Sequence, residues 1–158
     1  MSDQHFEQGM QIRRAVLGNA HVDRAEANKT DFDADFQRMI VEFAWGSVWA
    51  GDEIDRTTRH LITIAILAAL GKEQELTLHL RATQNTGVTP TQLKAALHQV
   101  AVYAGIPAAN TAFGIAKKVL AELEERTEDQ RTEDQRTDRK STRLNSSHRC
   151  TSRMPSSA

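Results

Sequence analysis

The chain predicts an all-α domain, and three observations support that expectation. Apolar residues recur at helical spacing from Phe6 to the neighbourhood of Arg126. No segment holds the period-two alternation of a half-buried strand, and glycines stand just past several periodic stretches. The expected architecture is a bundle of about six helices with short connections.

The first helix is expected from Phe6 to Leu17, with Gly18 as its stop. The stretch that follows, NAHVDRAEANKT, is polar and reads as an irregular connection. A second helix is expected from Asp31 or Asp33, since acids suit the positive end of a helix dipole. Phe36, Met39, Ile40 and Phe43 form its apolar stripe. Asp55 is a suitable N-cap for the third, where Leu61 to Leu70 is apolar on nearly every face and Gly71 follows. Such a helix belongs at the centre of a bundle or an oligomer. Its β-branched start, LITIAIL, also fits a buried strand, but its length and Ala68–Ala69 favour helix.

A fourth helix is expected over residues 72–86, ending at Gly87. TPTQ then supplies a capping box of Thr89 with Gln92, and Pro90 at the first helical position. That helix runs through Leu93, Leu97, Val100 and Ala101 to Gly105. Pro107 opens the last, in which Ala112, Ile115, Ala116, Val119 and Leu120 repeat at helical spacing.

Length suits one domain, expected over residues 1–126. Residues 127–137 repeat TEDQRTEDQRT and are expected to be a disordered tail. Asp138 to Ala158 resembles a translated sequencing-library adapter and is set aside from fold reasoning, and with it go His148 and the single cysteine, Cys150. That segment holds five of the 20 basic and one of the 21 acidic residues, so the remaining body carries −5. Nothing in that balance suggests nucleic acid or an anionic membrane as partner. No apolar run reaches membrane-spanning length and no leader opens the chain, so a soluble, cytoplasmic protein is expected.

One stretch, EQELTLHLRATQNTGVT, offers chemistry. Glu75 and His79 stand at i and i+4 on one helix face, where a carboxylate can orient an imidazole and favour its charged form. Such a pair can move protons near neutral pH. The ordinary alternative is a partly exposed structural contact. Arg81 points about 200° away around the helix and can serve only another site, across an interface. Arg56 and Arg59 fit a solvated helix start. Trp45 and Trp49, also i and i+4, suit packing as well as a substrate wall. His5, His21, His60 and His98 lack metal-ligand spacing, so no metal site is expected. Gly105 and Gly114 make no phosphate-cradling loop. The residues alone go no further than a helical domain with one suggestive histidine.

A resemblance adds to this. GMQIRRAVLGNAHVDRA, FQRMIVEFAWGSVWA, RTTRHLITIAILAAL, ELTLHLRATQNTGVT and YAGIPAANTAF occur in that order, over Phe6 to Leu123. In these the chain resembles the 4-carboxymuconolactone decarboxylase family of protocatechuate catabolism, the β-ketoadipate pathway. The resemblance implies an AhpD-like helical fold that assembles as trimers or hexamers. The peroxidases of that superfamily use a Glu, a CxxC and a His. Aligned on His79, the cysteine positions fall on Lys72 and Glu75 and the relay acid falls near His60, so thiolate chemistry is excluded. One departure lies in WAGDEIDRTTR, where relatives usually carry Arg-Pro-Gly-Leu and this chain carries Gly51 to Ile54.

The implied reaction is decarboxylation of a small dianionic lactone, 4-carboxymuconolactone, to 3-oxoadipate enol-lactone. The substrate is its own electron sink, so no cofactor is expected. The resemblance implies His79 as donor or proton source and Glu75 as its orienting partner. It implies Arg59 and Arg81 as candidate carboxylate anchors and Trp45 and Trp49 as walls. Tyr103 is an alternative donor at the carbonyl, or a packing residue. Two rival readings stand beside this one: a related lyase or isomerase on another small lactone or β-keto acid, and a non-catalytic helical oligomer.

Overall fold

The computed structural model describes the backbone of residues 3–149 and the side chains of residues 3–137. All its regular elements are helical. They are α1 (Asp3–Leu17), α2 (Asn19–Ala27), α3 (Ala34–Met39), a π-helical segment (Ile40–Val48) continuing α3, α4 (Arg56–Ala69), α5 (Glu73–Arg81), α6 (Thr83–Thr86), α7 (Pro90–Tyr103) and α8 (Ile106–Arg149). The all-α expectation holds. Among the described residues no helix is long and apolar enough to cross a membrane.

Two compact units divide the chain, residues 1–119 and 120–158. In the second, the TEDQR repeat is helical rather than irregular. It contains neither Gly nor Pro, and Glu128 with Arg131 and Glu133 with Arg136 stand at the favourable i, i+3 spacing. Thr127, Thr132 and Thr137 each donate to the carbonyl four residues earlier, at 2.8, 2.9 and 3.0 Å. The side chains of the adapter-like segment, His148 and Cys150 included, lie outside the described residues.

The first unit holds the core. The expected caps form: Asp55 accepts from the Thr58 amide at 2.9 Å, and both halves of the Thr89–Gln92 capping box are present. Three details differ from expectation. The polar connection after Gly18 is helix α2, held by fully buried Val22 and by ion pairs from α1, Arg14 to Asp23 at 2.7 Å and Arg13 to Glu26 at 3.3 Å. The helix of His79 breaks at Ala82 into α5 and α6, and Gly87 then turns the chain with φ 75°. Helix α4 buries only one face in this chain, that of His60, Ile64 and Ala68, while Ile66 is 51% and Leu70 65% exposed.

The π-helical segment positions the aromatic residues. Its bonds skip one residue further than an α-helix, as when the Trp49 amide donates to the Ala44 carbonyl at 2.8 Å. Gly9 of α1 lies on the backbone of Val41 and Gly46, and Gly46 lies on the carbonyl of His5. A Cβ at either glycine would enter occupied backbone, so only glycine permits this contact. Trp45 is thereby buried, and Trp49 ends the segment beside the face of α4 that carries His60.

Candidate functional site: a relay of two imidazoles

His60 is fully buried on the face of α4 that carries Ile64 and Ala68 one and two turns on. Its Nδ1 lies 2.6 Å from Thr86 Oγ1 and its Nε2 lies 3.1 Å from His79 Nδ1. Thr86 is fixed in turn. Its carbonyl accepts from Thr57 Oγ1 at 2.7 Å, and its hydroxyl reaches the Thr83 carbonyl at 3.3 Å. Trp49 lies against His79 with ring centres 6.2 Å apart and planes 22° apart. It meets His60 edge-on at 5.8 Å, and Trp45 packs on it at 4.9 Å.

The hydrogen bonds form a line with two possible directions. If the Thr86 proton goes to the Thr83 carbonyl, His60 donates from Nδ1 and accepts at Nε2 from His79, whose outer Nε2 is then a base. If that proton goes to His60, both imidazole bonds reverse, the bond to the Thr83 carbonyl is given up, and His79 presents an Nε2–H donor. The switch moves protons only, so one framework serves either role.

Burial pushes both rings toward the neutral form, to about 4 in each case. For His60 the second cause is the neighbouring charge of His79. For His79 it is the charge of His21, opposed by Glu75. His21 itself, half-buried on α2, is lowered by burial and then by the charges of Arg13 and Arg24. Burial is the largest cause at each ring, so His60 and His79 rest as neutral imidazoles whose charged form a bound anion would favour.

The residues expected from sequence fall into two sets. His79, Trp45 and Trp49 come together. Glu75 is exposed one turn away and acts on His79 through its field, while the bonded partner of His79 is His60. Arg59 stands immediately before His60 in the chain but gives its Nη2 to the Gly51 carbonyl at 3.1 Å and to Glu53 at 3.2 Å. Arg81 is exposed, and Tyr103, at the end of α7, is 84% exposed. His60 and Thr86 were missed. Their signal was faint: His60 precedes Ile64 and Ala68 by one and two turns, and so lies on an apolar face.

Known proteins resemble this chain clearly. The model of a family described as the carboxymuconolactone decarboxylase family matches residues 34–118. The chain is similar to a 4-carboxymuconolactone decarboxylase of Acinetobacter baylyi, 47% identical over 121 residues, 77% of this chain and 90% of that one. It is 34% identical over 123 residues to a nitrosuccinic acid decarboxylase of Metarhizium robertsii, 78% of this chain and 86% of that one. A 4-carboxymuconolactone decarboxylase of Pseudomonas putida is 54% identical over 43 residues, 27% of this chain and 90% of that sequence.

Proposed function

Because the chain belongs to the carboxymuconolactone decarboxylase family, we propose that it converts 4-carboxymuconolactone to 3-oxoadipate enol-lactone and carbon dioxide, with no bound cofactor. The observation that carries this reading is the His60–His79 pair, its outer ring laid against Trp49, in a chain 47% identical to a decarboxylase of that name.

The departing carboxylate sits on a carbon conjugated, through a C=C bond, to the lactone carbonyl. As the C–C bond breaks, its electron pair spreads onto that carbonyl as a dienolate. A donor at the oxygen stabilises the developing charge, and one proton must then reach carbon. His79 suits both tasks, as an Nε2–H donor and, once protonated, as an acid. The reaction consumes one proton per turnover, so the ring must be recharged from solvent. In the free site it is neutral at pH 7. The arrival of a dianion favours its charged form, so substrate and proton enter together. Glu75 favours the same form. Trp45 and Trp49 offer an apolar wall, which suits a carboxylate that loses its charge as it leaves.

The catalytic domain in this reading is residues 1–126, and it works as a homo-oligomer, a trimer or hexamer. The apolar surface left on the π-helical segment and at α4 and its C-cap, including Phe43, Ile66 and Leu70, supports that assembly. In that assembly Arg81 and Tyr103, both exposed, would serve a site across the interface. The test is turnover: the protein given 4-carboxymuconolactone is expected to release one carbon dioxide per lactone consumed. His79→Ala should keep its far-UV circular dichroism and lose roughly 100-fold or more in rate. Near-normal turnover in that variant removes His79 from the reaction.

A further inference from the structure

Helix α1 buries three residues, Gly9, Arg13 and Val16, along one stripe. Gly9 seats the stripe on the π-helical segment that leads to Trp49. Val16 seats it against α6, where its carbonyl accepts from Asn85 Nδ2 at 2.9 Å, one residue before the Thr86 that holds His60. Arg13 lies between these two contacts, on a wall shared with the elements that build the histidine site. Its side chain is only 8% exposed. Its one acceptor among the described residues is Glu26, met by Nη1 at 3.3 Å, and that carboxylate also holds Lys29 at the shorter distance of 2.7 Å. The buried Nε–H of Arg13 has no acceptor among the described residues.

A guanidinium offers Nε–H and one Nη–H as parallel donors, an edge that matches the two oxygens of a carboxylate. Leaving such a donor buried and unpaired in a native fold calls for an explanation. We propose that Arg13 is the anchor for a substrate carboxylate, received on its Nε edge, at the wall between α1 and the imidazole pair. The proposal rests on the decarboxylase reading for the substrate's identity. The carboxylate concerned is the acetate arm, which keeps its charge throughout. A cation on the departing carboxylate would stabilise the ground state and oppose its loss.

Two further observations support the assignment. The charge of Arg13 acts on His21, and that of His21 acts on His79. The cations expected from sequence are placed differently, since Arg59 already has two acceptors without any ligand and Arg81 is exposed. Arg13 also precedes residues 34–118, the span matched by the family model. The imidazole pair lies inside that span. The anchor therefore belongs to the part of the chain that can set which acid is taken.

The probe is the saturated lactone dicarboxylate, in which the ring C=C is reduced so that no dienolate can form. Its acetate-arm methyl ester is the control. The chain has two tryptophans, Trp49 against the imidazoles and Trp45 packed on Trp49, so their emission reports binding. Arg13→Gln is expected to weaken the diacid about tenfold or more while binding the monoester as wild type does. Its KM should rise similarly with kcat changed much less. Arg13→Lys, which keeps the charge without the fork, should recover only part of the loss and carries the test if Arg13→Gln does not fold. Equal binding of the diacid by wild type and variant overturns the proposal, as does equal weakening of diacid and monoester, or a wild type that binds neither. If wild type binds the probe yet releases no carbon dioxide from 4-carboxymuconolactone, the reaction assignment fails while the titration still decides Arg13.

Discussion

His79 and His60 share a bond that neither residue's sequence neighbourhood announces. The i, i+4 rule directed attention to Glu75, and the structure answers with a ring 19 residues away on another helix. Arg13 was hidden in the same way, because the Arg13–Arg14 doublet looks like a solvated face. What marks it is its place in the stripe of Gly9 and Val16. Two predictions belong to these rings. Both titrate near 6.5 when unfolded and at about 4 when folded. Between those values the unfolded chain binds more protons, so their contribution is fully present above pH 6.5 and is lost as pH falls toward 4. The expected slope is up to about 1.4 kcal/mol per pH unit for each ring. Urea midpoints at pH 7, 6 and 5 should fall in that order, and His79→Gln should flatten the trend. The second concerns binding. A dianion seated beside neutral His79 should draw in a proton at pH 7, seen as a calorimetric enthalpy that varies with the ionisation enthalpy of the buffer. A buffer-independent enthalpy would mean that the proton arrives by another route.

At the scale of elements, legibility followed how local the determining physics is. Caps depend on residues three apart, and Asp55 and Thr89 could be read directly. Helix α2 depends on ion pairs to α1 and a single buried valine, so its sequence carries almost no periodicity of its own. The π-helical segment depends on the backbone contact of Gly9 with Val41 and Gly46, a tertiary fact. That contact has a testable consequence for function. Gly9→Ala places a methyl group in backbone that cannot step aside as a flexible side chain would. The expected cost is about 1–3 kcal/mol of stability. Because the segment ends at Trp49, the strain should also alter tryptophan emission and lower turnover, although Gly9 itself is remote from the imidazoles in sequence. Wild-type melting and emission in Gly9→Ala would show that the two helices do not approach so closely.

For the whole molecule, the apolar character of α4 poses the question of what covers it. The sequence pattern placed this helix at the centre of something, and within one chain that holds for a single face. Ile64 and Ala68 are buried while Ile66 and Leu70 remain half or more exposed. The uncovered side lies on the same helix as His60, so whatever covers it also steadies the imidazole relay. If the chain were a monomer, Ile66→Glu would be a surface change worth no more than about 0.5 kcal/mol, and activity would not notice it. If a second copy packs there, the same change buries a carboxylate against hydrocarbon, and the assembly should dissociate. Light scattering on wild type and Ile66→Glu separates the cases. The expected result is a wild-type mass several times that of one chain, a variant near one chain, and turnover that falls with the mass. A wild-type mass near that of one chain would confine the working site to a single chain, and an oligomeric variant with unaltered turnover would place the interface away from Ile66.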